Sequence, residues 1–411
     1  MSPTYLDHAA TSWPKPPCVI DAMQTFLAEE AANPGRGGHR MAVATERRVE
    51  RLRERLAALI HAESPSRIAL GLNCTDALNN AIHAVLRPFA HGMRHLDRTA
   101  LGGHTSSCPP GVVTTVLEHN SVARPLRQYA DEDLIRLTVV PCDPRGLVNP
   151  DDIIRACDAT TVLVAMTHAS NVLGTIQDVG AVGAALRRRN PETLLLVDAA
   201  QSVGHVPVDV QAMSIDLLAF PGHKALLGPT GTGALYIGPR AWDDAGGSGL
   251  IGYRQGGTGG DSTSATMPRQ LPHQFEGGTP NTVGYAGWLA ALDEVERAMQ
   301  PESVARQHQL VGIILDHARA THGRVRALGP DDPTARAPVV SLVVEGFDPT
   351  DLGGILDTSF DIAARPGLHC APGCHRAMDT FPAGTLRLSL GASTTEPDVA
   401  HALAALSEII G

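Results

Sequence analysis

The sequence predicts an α/β protein in which a mostly parallel β-sheet is covered by helices on both faces. Short apolar runs alternate with helix-like segments over the first part of the chain, and this alternation is typical of such a sheet. The runs are too short for helices and end in turn residues, as buried parallel strands do. Six strands are predicted in this way, over Arg67–Leu70, Val112–Leu117, Leu134–Val140, Thr161–Met166, Leu194–Val197 and Leu217–Phe220.

Helices and a second domain complete the predicted architecture. Two helices are expected before the first strand, over Val19–Leu27 and Ala42–Ile60, the second with apolar residues at helical spacing. Past Val283 the pattern changes to a helix over Ala286–Met299, strands near Val339–Val344 and Leu386–Leu390, and a final helix from Glu396. We therefore predict a large domain over residues 16–284 and a smaller α+β domain from residues 1–15 and 285–411.

Composition narrows the class of function. The chain of 411 residues has a formal net charge of −10 and no basic run that stands out, which argues against nucleic acid or an anionic membrane as the main partner. No apolar stretch is long enough to span a bilayer, and the first residues lack the charged and apolar regions of a signal peptide. The seven cysteines are scattered and odd in number, which fits a reducing compartment. We therefore expect a cytoplasmic protein.

The stretch from Leu194 to Gly233 carries the most specific chemical signal. One predicted strand runs into Asp198, and the next is followed by a Pro-Gly-His-Lys sequence that ends at Lys224. Since ligands of open α/β sheets bind beyond the carboxyl ends of the strands, both charged groups should face one crevice. In a pyridoxal phosphate enzyme such a lysine forms the Schiff base, and such an acid keeps the pyridine nitrogen protonated. Taken singly, Asp198 could cap a helix and Lys224 could be a solvated loop lysine, but the complete block favours a cofactor site.

Three more candidates follow predicted strands. Thr75 stands at a predicted helix N-terminus, where its hydroxyl and free backbone N–H groups could bind the cofactor phosphate or form an ordinary helix cap. His119 could stack on a pyridine ring and shuttle protons, although a lone histidine after a strand is more often structural. Asn171 could hydrogen-bond the ring hydroxyl or the substrate carboxylate.

Two candidates lie in the C-terminal part of the chain. Cys370 is on a loop with Gly and Pro on either side and with Arg365 and His369 close by, surroundings that are typical of an accessible, reactive thiol. The same thiol could be a buried apolar group, or it could bind zinc together with Cys374 and the neighbouring histidines. Arg387 stands among apolar residues of a predicted strand and needs an anion, either a substrate carboxylate or the partner in an internal salt bridge.

Together these motifs resemble the class V aminotransferase family of fold type I pyridoxal phosphate enzymes, from Tyr5-Leu6-Asp7-His8-Ala9-Ala10-Thr11 to the last helix. Within this family the chain is most similar to the cysteine desulfurases and selenocysteine lyases of the second subgroup. The resemblance implies a fold type I transferase with a seven-stranded sheet in its large domain. It also implies a homodimer with shared active sites, because Thr279 matches the family threonine that reaches the phosphate of the neighbouring subunit.

The resemblance assigns a role to each candidate residue. It implies that Lys224 is the Schiff-base lysine, that Asp198 pairs with the pyridinium nitrogen, that Gln201 contacts the ring hydroxyl and that His119 stacks on the ring as a catalytic group. Thr75 and His223 would bind the phosphate. Asp76, at the same helix start as Thr75, would also bind the cofactor. Asn171, Arg387, Arg365 and Ala9 would lie around the substrate. Cys370 falls on the cysteine that forms a persulfide in the family.

The implied reaction converts L-cysteine to L-alanine and passes the sulfur to Cys370, from which an acceptor thiol or a sulfur-carrier protein takes it. Selenocysteine is a second candidate substrate. Another class V reaction, such as transamination, epimerisation or a different C–S bond cleavage, is the alternative, and a non-catalytic scaffold subunit is a third hypothesis. The loop thiol favours the desulfurase, because a transaminase or an epimerase has no use for it.

Three features depart from the family pattern. Pro221 stands where many desulfurases have serine, which removes a hydroxyl and a backbone N–H from the phosphate site. Cys374 is not part of the motif, and it could resolve the persulfide or be inert. Residues 91–111 look inserted, and we expect a surface loop there, with a lid or partner-docking loop near His119 as the alternative.

Overall fold

The fold is α/β, as predicted, and rests on a mostly parallel seven-stranded sheet. The computed structural model describes residues 3–35, 38–90, 109–243, 250–258 and 263–411. The helices are α1 (Pro17–Thr25), α2 (Arg40–Leu59), α3 (Cys74–Ala90), α4 (Asn120–Asp131), α5 (Pro150–Ala156), α6 (Val179–Arg189), α7 (Thr282–Ala298), α8 (Pro301–Ala320), α9 (Pro349–Phe360), α10 (Pro372–Ala377) and α11 (Glu396–Ile410). The strands are β1 (Thr4–Tyr5), β2 (Ile68–Gly71), β3 (Gly111–Thr115), β4 (Arg136–Val140), β5 (Thr161–Thr167), β6 (Leu194–Asp198), β7 (Leu217–Pro221), β8 (Gly233–Ile237), β9 (Val325–Ala327), β10 (Val339–Val344), β11 (Ile362–Ala363), β12 (Arg365–Gly367) and β13 (Thr385–Ser389).

The large sheet has the strand order β2-β8-β7-β6-β5-β3-β4. All six strands predicted for it are present, and β8 is a seventh that the apolar pattern did not single out. β8 runs antiparallel to both of its neighbours, and its first residue, Gly233, pairs with Gly71 on one side and with Pro221 on the other. The Gly-rich stretch before β8 predicts a loop, and only the pairing with two other strands makes the short run after it a strand. β3 ends at Thr115, two residues earlier than expected, because the chain turns there toward α4.

Helices cover both faces of the large sheet. Along β6, Leu195 and Val197 belong to one core with residues of α2, α5, α6 and α7, whereas Leu194 and Leu196 belong to a second core with residues of α3 and α4. Because successive side chains of a strand point to opposite faces, every central strand contributes to both cores. The two buried cores hold the carboxyl ends of the parallel strands in a fixed arrangement along one edge.

The C-terminal part contains a four-stranded antiparallel sheet in the order β12-β13-β10-β9. Its core includes residues of α8, α9 and α11, and also Leu6 of the N-terminal arm, whose strand β1 pairs in parallel with β11. The predicted domain boundary at residue 284 stays a prediction. Helix α7 crosses it and buries Trp288 and Leu292 in the core of the large sheet, so we propose the junction of α7 and α8 as the place where the two parts meet.

Most of the expected insertion, residues 91–108, lies outside the described residues. Among the helices that the structure describes, none combines the length and the apolar character needed to cross a membrane.

Candidate active site

The carboxyl ends of β3, β5, β6 and β7 surround one cavity of about 90 Å³. The strand pattern predicted this arrangement, because parallel strands present their carboxyl ends at one edge of the sheet. Seven predicted site residues line the cavity: Thr75, His119, Asn171, Asp198, Gln201, His223 and Lys224.

Lys224 and Asp198 form the charged centre of this cavity. Burial lowers the pKa of Lys224 below its ordinary value, and the negative charge of Asp198 acts in the opposite direction. A lowered pKa favours the neutral amine, which is the form that can act as a nucleophile or accept a proton. Asp198 is 4% exposed, and its Oδ1 accepts hydrogen bonds from the backbone N–H of Ala200 at 2.9 Å and from the thiol of Cys74 at 3.6 Å.

These residues fit the pyridoxal phosphate that the resemblance implies. Within the described residues both hydrogen bonds to the Asp198 side chain end on Oδ1. Oδ2 is therefore able to accept a hydrogen bond from the protonated nitrogen of the cofactor ring. Lys224 lies in the same cavity, and His119 and Gln201 also line it. The donor set therefore matches an amine-bound pyridine ring whose nitrogen pairs with an acid.

His119 is fixed by the start of α4, which it caps. Its Nδ1 accepts a hydrogen bond from the backbone N–H of Ser121 at 3.1 Å and lies 2.7 Å from the Ser121 hydroxyl. An Nδ1 that accepts from a backbone N–H carries no proton, so the neutral ring has its proton on Nε2. Burial lowers the pKa of His119, which favours this neutral form. The structural and functional interpretations of His119 are thus compatible, because the cap orients the ring that lines the cavity.

Arg387 is paired within the chain, as one of the two interpretations of the sequence predicted. One of its terminal nitrogens, Nη2, donates to Oδ1 of Asp7 at 2.7 Å, and its Nη1 donates to the carbonyl of Asn171 at 3.1 Å. Its Nε is buried without a partner in the described part of the chain, so one donor is left for a further anion. Arg365 donates through Nε to the other carboxylate oxygen of Asp7 at 2.8 Å.

Cys370 lies on a loop that is hydrogen-bonded to residues in and next to the cavity wall. Its carbonyl accepts a hydrogen bond from the backbone N–H of Asn120 at 2.7 Å, and the Asn171 side chain donates to the carbonyl of His369 at 2.6 Å. His369 and Cys370 both have positive φ angles, +50° and +57°, so the loop turns sharply at the thiol. Cys370 is exposed, which removes the interpretation as a buried apolar group.

Cys374, in contrast, lies in an environment that disfavours a reactive thiol. It is fully buried in the core, and burial raises the pKa of its thiol to about 12. The zinc interpretation finds no support either, because no three His, Cys, Asp or Glu side chains of the described residues come together to hold a metal ion.

The predicted phosphate ligands divide into two sets. Thr75 and His223 line the cavity of Lys224, and burial lowers the pKa of His223 to about 4, so its ring is neutral. Asp76 is engaged elsewhere, since its carboxylate pairs with Arg254 at 2.9 Å and its N–H donates to the Asn73 side chain at 2.9 Å. Thr279 lies in a second, larger cavity of about 680 Å³ on the same chain.

The remaining predicted contacts are Gln201, Ala9 and Pro221. Gln201 donates from Nε2 to the carbonyl of Ala9 at 2.9 Å, so these two residues join the N-terminal arm to the cavity. Pro221 ends β7 and lines the cavity without a backbone donor, as the sequence indicated.

The sequence placed Ala9 of the N-terminal arm in the site but did not reveal how the rest of the arm holds the peptide bond before Lys224. The carbonyl of His223, next to Lys224, accepts hydrogen bonds from the Thr11 hydroxyl at 3.1 Å, from the N–H and hydroxyl of Ser12 at 3.0 and 3.2 Å, and from Lys15 at 2.9 Å. The only local signal was the motif from Tyr5 to Thr11, which does not reveal its partners.

A buried acid that is hydrogen-bonded to Thr167, a residue of the cavity wall, was also missed. Glu118 accepts hydrogen bonds on Oε1 from the Thr115 hydroxyl at 2.6 Å and from the Thr167 N–H at 3.1 Å. Burial raises its pKa to about 8, so the carboxyl group is largely protonated at neutral pH. Its position directly before His119 gave the one available signal.

Known proteins resemble this chain over nearly its full length. A family model described as aminotransferase class-V matches residues 4–401. A probable cysteine desulfurase of Methanothermobacter thermautotrophicus is 33% identical over 99% of this chain and 94% of its own length. A cysteine desulfurase of Yersinia pseudotuberculosis is 31% identical over 98% of this chain and 93% of its own length. The apo structure of a cysteine desulfurase from Thermococcus onnurineus superposes with a TM-score of 0.84 at 30% identity, covering 99% of this chain and 94% of that one. The chain therefore belongs to the class V aminotransferase family, whose members depend on pyridoxal phosphate.

Proposed function

We propose that the protein is a pyridoxal phosphate-dependent cysteine desulfurase that converts L-cysteine to L-alanine and retains the sulfur on Cys370. The exposed Cys370 thiol carries this proposal, because its loop is hydrogen-bonded to Asn171 of the Lys224 cavity. The names of the relatives support it, since the proteins from Methanothermobacter and Yersinia are described as cysteine desulfurases.

Lys224 and Asp198 would hold the cofactor, with Thr75 and His223 at its phosphate, Gln201 at its ring hydroxyl and His119 stacked on its ring. When bound, pyridoxal phosphate draws electrons from the α-carbon of the amino acid. Lys224 then accepts the α-proton at Nζ, a task that its lowered pKa favours.

Arg387 and Asn171 would bind the substrate carboxylate, with Ala9 and Arg365 beside it. Arg387 has for this purpose its Nε, to which none of the described residues is hydrogen-bonded, while Asp7 neutralises its charge. Asn171 contributes both the side chain that fastens the Cys370 loop and the carbonyl that orients Arg387. Substrate binding at Asn171 is therefore coupled to the position of the loop that carries the nucleophile.

Cys370 performs the sulfur transfer. Its thiolate attacks the sulfur of the substrate, and an S–S bond forms while the Cβ–S bond breaks. The electron pair of the broken bond stays on the carbon, which takes up a proton and leaves as L-alanine. An acceptor thiol or a sulfur-carrier protein then removes the sulfur from the enzyme.

The proposal extends to assembly, location and substrate range. A homodimer would bring Thr279 of one subunit to the phosphate site of the other, in keeping with the separate cavity in which Thr279 lies. A cytoplasmic location agrees with the free cysteines, six of which the structure describes. L-selenocysteine would be a second substrate, since it differs from L-cysteine only in the atom that Cys370 attacks.

The test measures alanine and sulfide release from L-cysteine with added dithiol. We expect both products from the wild type, neither from Cys370→Ala, and both from the matched control Cys374→Ala. Equal activity of wild type and Cys370→Ala would remove Cys370 as the nucleophile. Absence of both products from a cofactor-loaded wild type would favour another class V reaction, such as transamination, epimerisation or a different C–S bond cleavage.

A second measurement tests the cofactor site itself. Purified wild type should show the yellow absorbance of the bound cofactor, and Lys224→Ala should lose it. A colourless wild type that does not take up added cofactor would favour the scaffold hypothesis.

A further inference from the structure

One thiol in the cofactor cavity has no role in the reaction proposed above. Cys74 is the first residue of α3, is 8% exposed, and lines the cavity together with Asp198 and Lys224. Its Sγ lies 3.6 Å from Oδ1 of Asp198, within the distance of a hydrogen bond that involves sulfur.

The position of Cys74 is fixed by the backbone on which it stands. Gly233, the first residue of β8, lies so close to the start of α3 that a Cβ added there would be 2.5 Å from the carbonyl carbon of Asn73. The absence of a side chain at Gly233 lets α3 begin directly against the sheet. Asn73 closes the same turn by accepting a hydrogen bond from the N–H of Asp76. The backbone that carries Cys74 is therefore held against the sheet, close to Asp198.

The chemistry of the pair makes the thiol the donor. Burial and the negative charge of Asp198 both raise the pKa of Cys74 well above its ordinary value, so the sulfur keeps its proton. The thiol thus donates to Oδ1, and the backbone N–H of Ala200 donates to the same oxygen. Two donors on one oxygen restrict the rotation of the carboxylate, and among the described residues they leave Oδ2 of this cavity-lining side chain free to bind the cofactor ring.

We propose that Cys74 is a positioning residue that orients Asp198 toward the ring nitrogen of the cofactor. The inference rests on the cofactor role of Asp198 in the proposed function. It requires no reaction at sulfur, because Cys74 acts through Asp198 alone. If Cys74 only filled space, serine at this position would be at least as damaging as alanine, because burying a hydroxyl that makes no useful hydrogen bond costs free energy.

The test compares Cys74→Ala and Cys74→Ser in the wild-type and in the Asp198→Asn background. For the cofactor-loaded proteins without substrate, we measure the absorption maximum and the dissociation constant of pyridoxal phosphate. Cys74→Ala should move the absorption maximum in the direction of Asp198→Asn and weaken cofactor binding by about tenfold, the effect of losing one hydrogen bond to a charged group. Cys74→Ser should lie between Cys74→Ala and wild type, because the hydroxyl still donates.

The double variant provides the decisive comparison. Cys74→Ala should have a clearly smaller effect in the Asp198→Asn background, because the thiol bond to a charged carboxylate is already replaced there by a weaker bond to a neutral amide oxygen. Equal effects in both backgrounds, or Cys74→Ser as impaired as Cys74→Ala, would overturn the proposal in favour of simple packing. These readouts need no turnover, so a protein inactive on L-cysteine that still shows the spectral pattern would refute the desulfurase proposal and retain this one. An active enzyme with unchanged Cys74 variants would do the reverse.

Discussion

Replacing Asp7 with Asn should destabilise the protein through Arg387 more than through Arg365. Asp7 binds both guanidinium groups, but the side chain of Arg387 is 3% exposed, whereas that of Arg365 is 51% exposed. Removing the partner of a buried charge typically costs about 3–5 kcal/mol. The amide oxygen of Asn can still accept one hydrogen bond from Arg387, so we expect the lower end of this range. The exposed pair with Arg365 adds at most about 1 kcal/mol.

The matched control is Arg365→Gln, which removes only the exposed half of the arrangement. Its free energy of unfolding should fall by less than about 1 kcal/mol, and added salt should reduce the difference from wild type further. Denaturant unfolding of the cofactor-loaded proteins measures both variants. If Asp7→Asn loses no more stability than Arg365→Gln, the burial of Arg387 does not determine the loss of unfolding free energy, and this prediction is wrong.

The same variant tests the proposed substrate role of Arg387. A carboxylate ligand supplies the anion that Asp7→Asn removes, so L-alanine should raise the unfolding midpoint of Asp7→Asn more than that of wild type. Equal stabilisation of the two proteins by L-alanine would show that the ligand carboxylate does not replace the charge of Asp7 beside Arg387, and would count against this substrate role.

Three more predictions concern the surroundings of the cavity. Glu118→Gln should flatten the dependence of unfolding free energy on pH, because burial raises the pKa of Glu118 to about 8 from an ordinary value of 4.5. The contribution of this acid is complete at low pH and is lost as the pH rises through about 8, so the variant should be the more stable protein at about pH 9. Lys15→Met removes one of the donors to the His223 carbonyl and should lower the free energy of unfolding by about 1 kcal/mol, measured by denaturant titration. Cys374→Ala should destabilise the core by about 1–2 kcal/mol and still release sulfide at the wild-type rate, in contrast to Cys370→Ala.

Each of these predictions has a clear contrary result. Parallel pH profiles of wild type and Glu118→Gln would mean that Glu118 is ionised in the folded protein. An unchanged Lys15→Met would mean that the other donors to the His223 carbonyl hold it fully. Loss of sulfide release in a folded Cys374→Ala would give Cys374 a part in persulfide chemistry, although its burial argues against it.

The sequence predicted those parts of the fold whose signals are local. β5, β6 and β7 lie within one residue of their expected limits, since each is a short apolar run buried on both faces. The start of α11 at Glu396 was also found, and it follows the Thr395–Asp398 capping box. β8 was missed because its pairing with β2 and β7, and not its composition, makes it a strand.

In the candidate site, too, the sequence predicted the residues that follow strands and missed the long-range contacts. Asp198, Lys224, His119 and Asn171 could be grouped because each follows a strand of one parallel sheet, and the rules for such sheets place their carboxyl ends together. The pairing of Asp7 with Arg387 joins residues 380 positions apart, and no spacing rule predicts it. The hydrogen bond from Cys74 to Asp198 likewise depends on how closely α3 approaches β8.

These long-range contacts give the N-terminal arm partners that its own sequence does not reveal. Asp7 neutralises Arg387, the carbonyl of Ala9 holds Gln201, and Ser12 and Lys15 hold the peptide bond that precedes Lys224. The arm also contributes Leu6 to the core of the C-terminal part, so it connects that core to the cofactor cavity. A substitution in the arm should therefore change the cavity and the small sheet together, because the same short segment is buried in both.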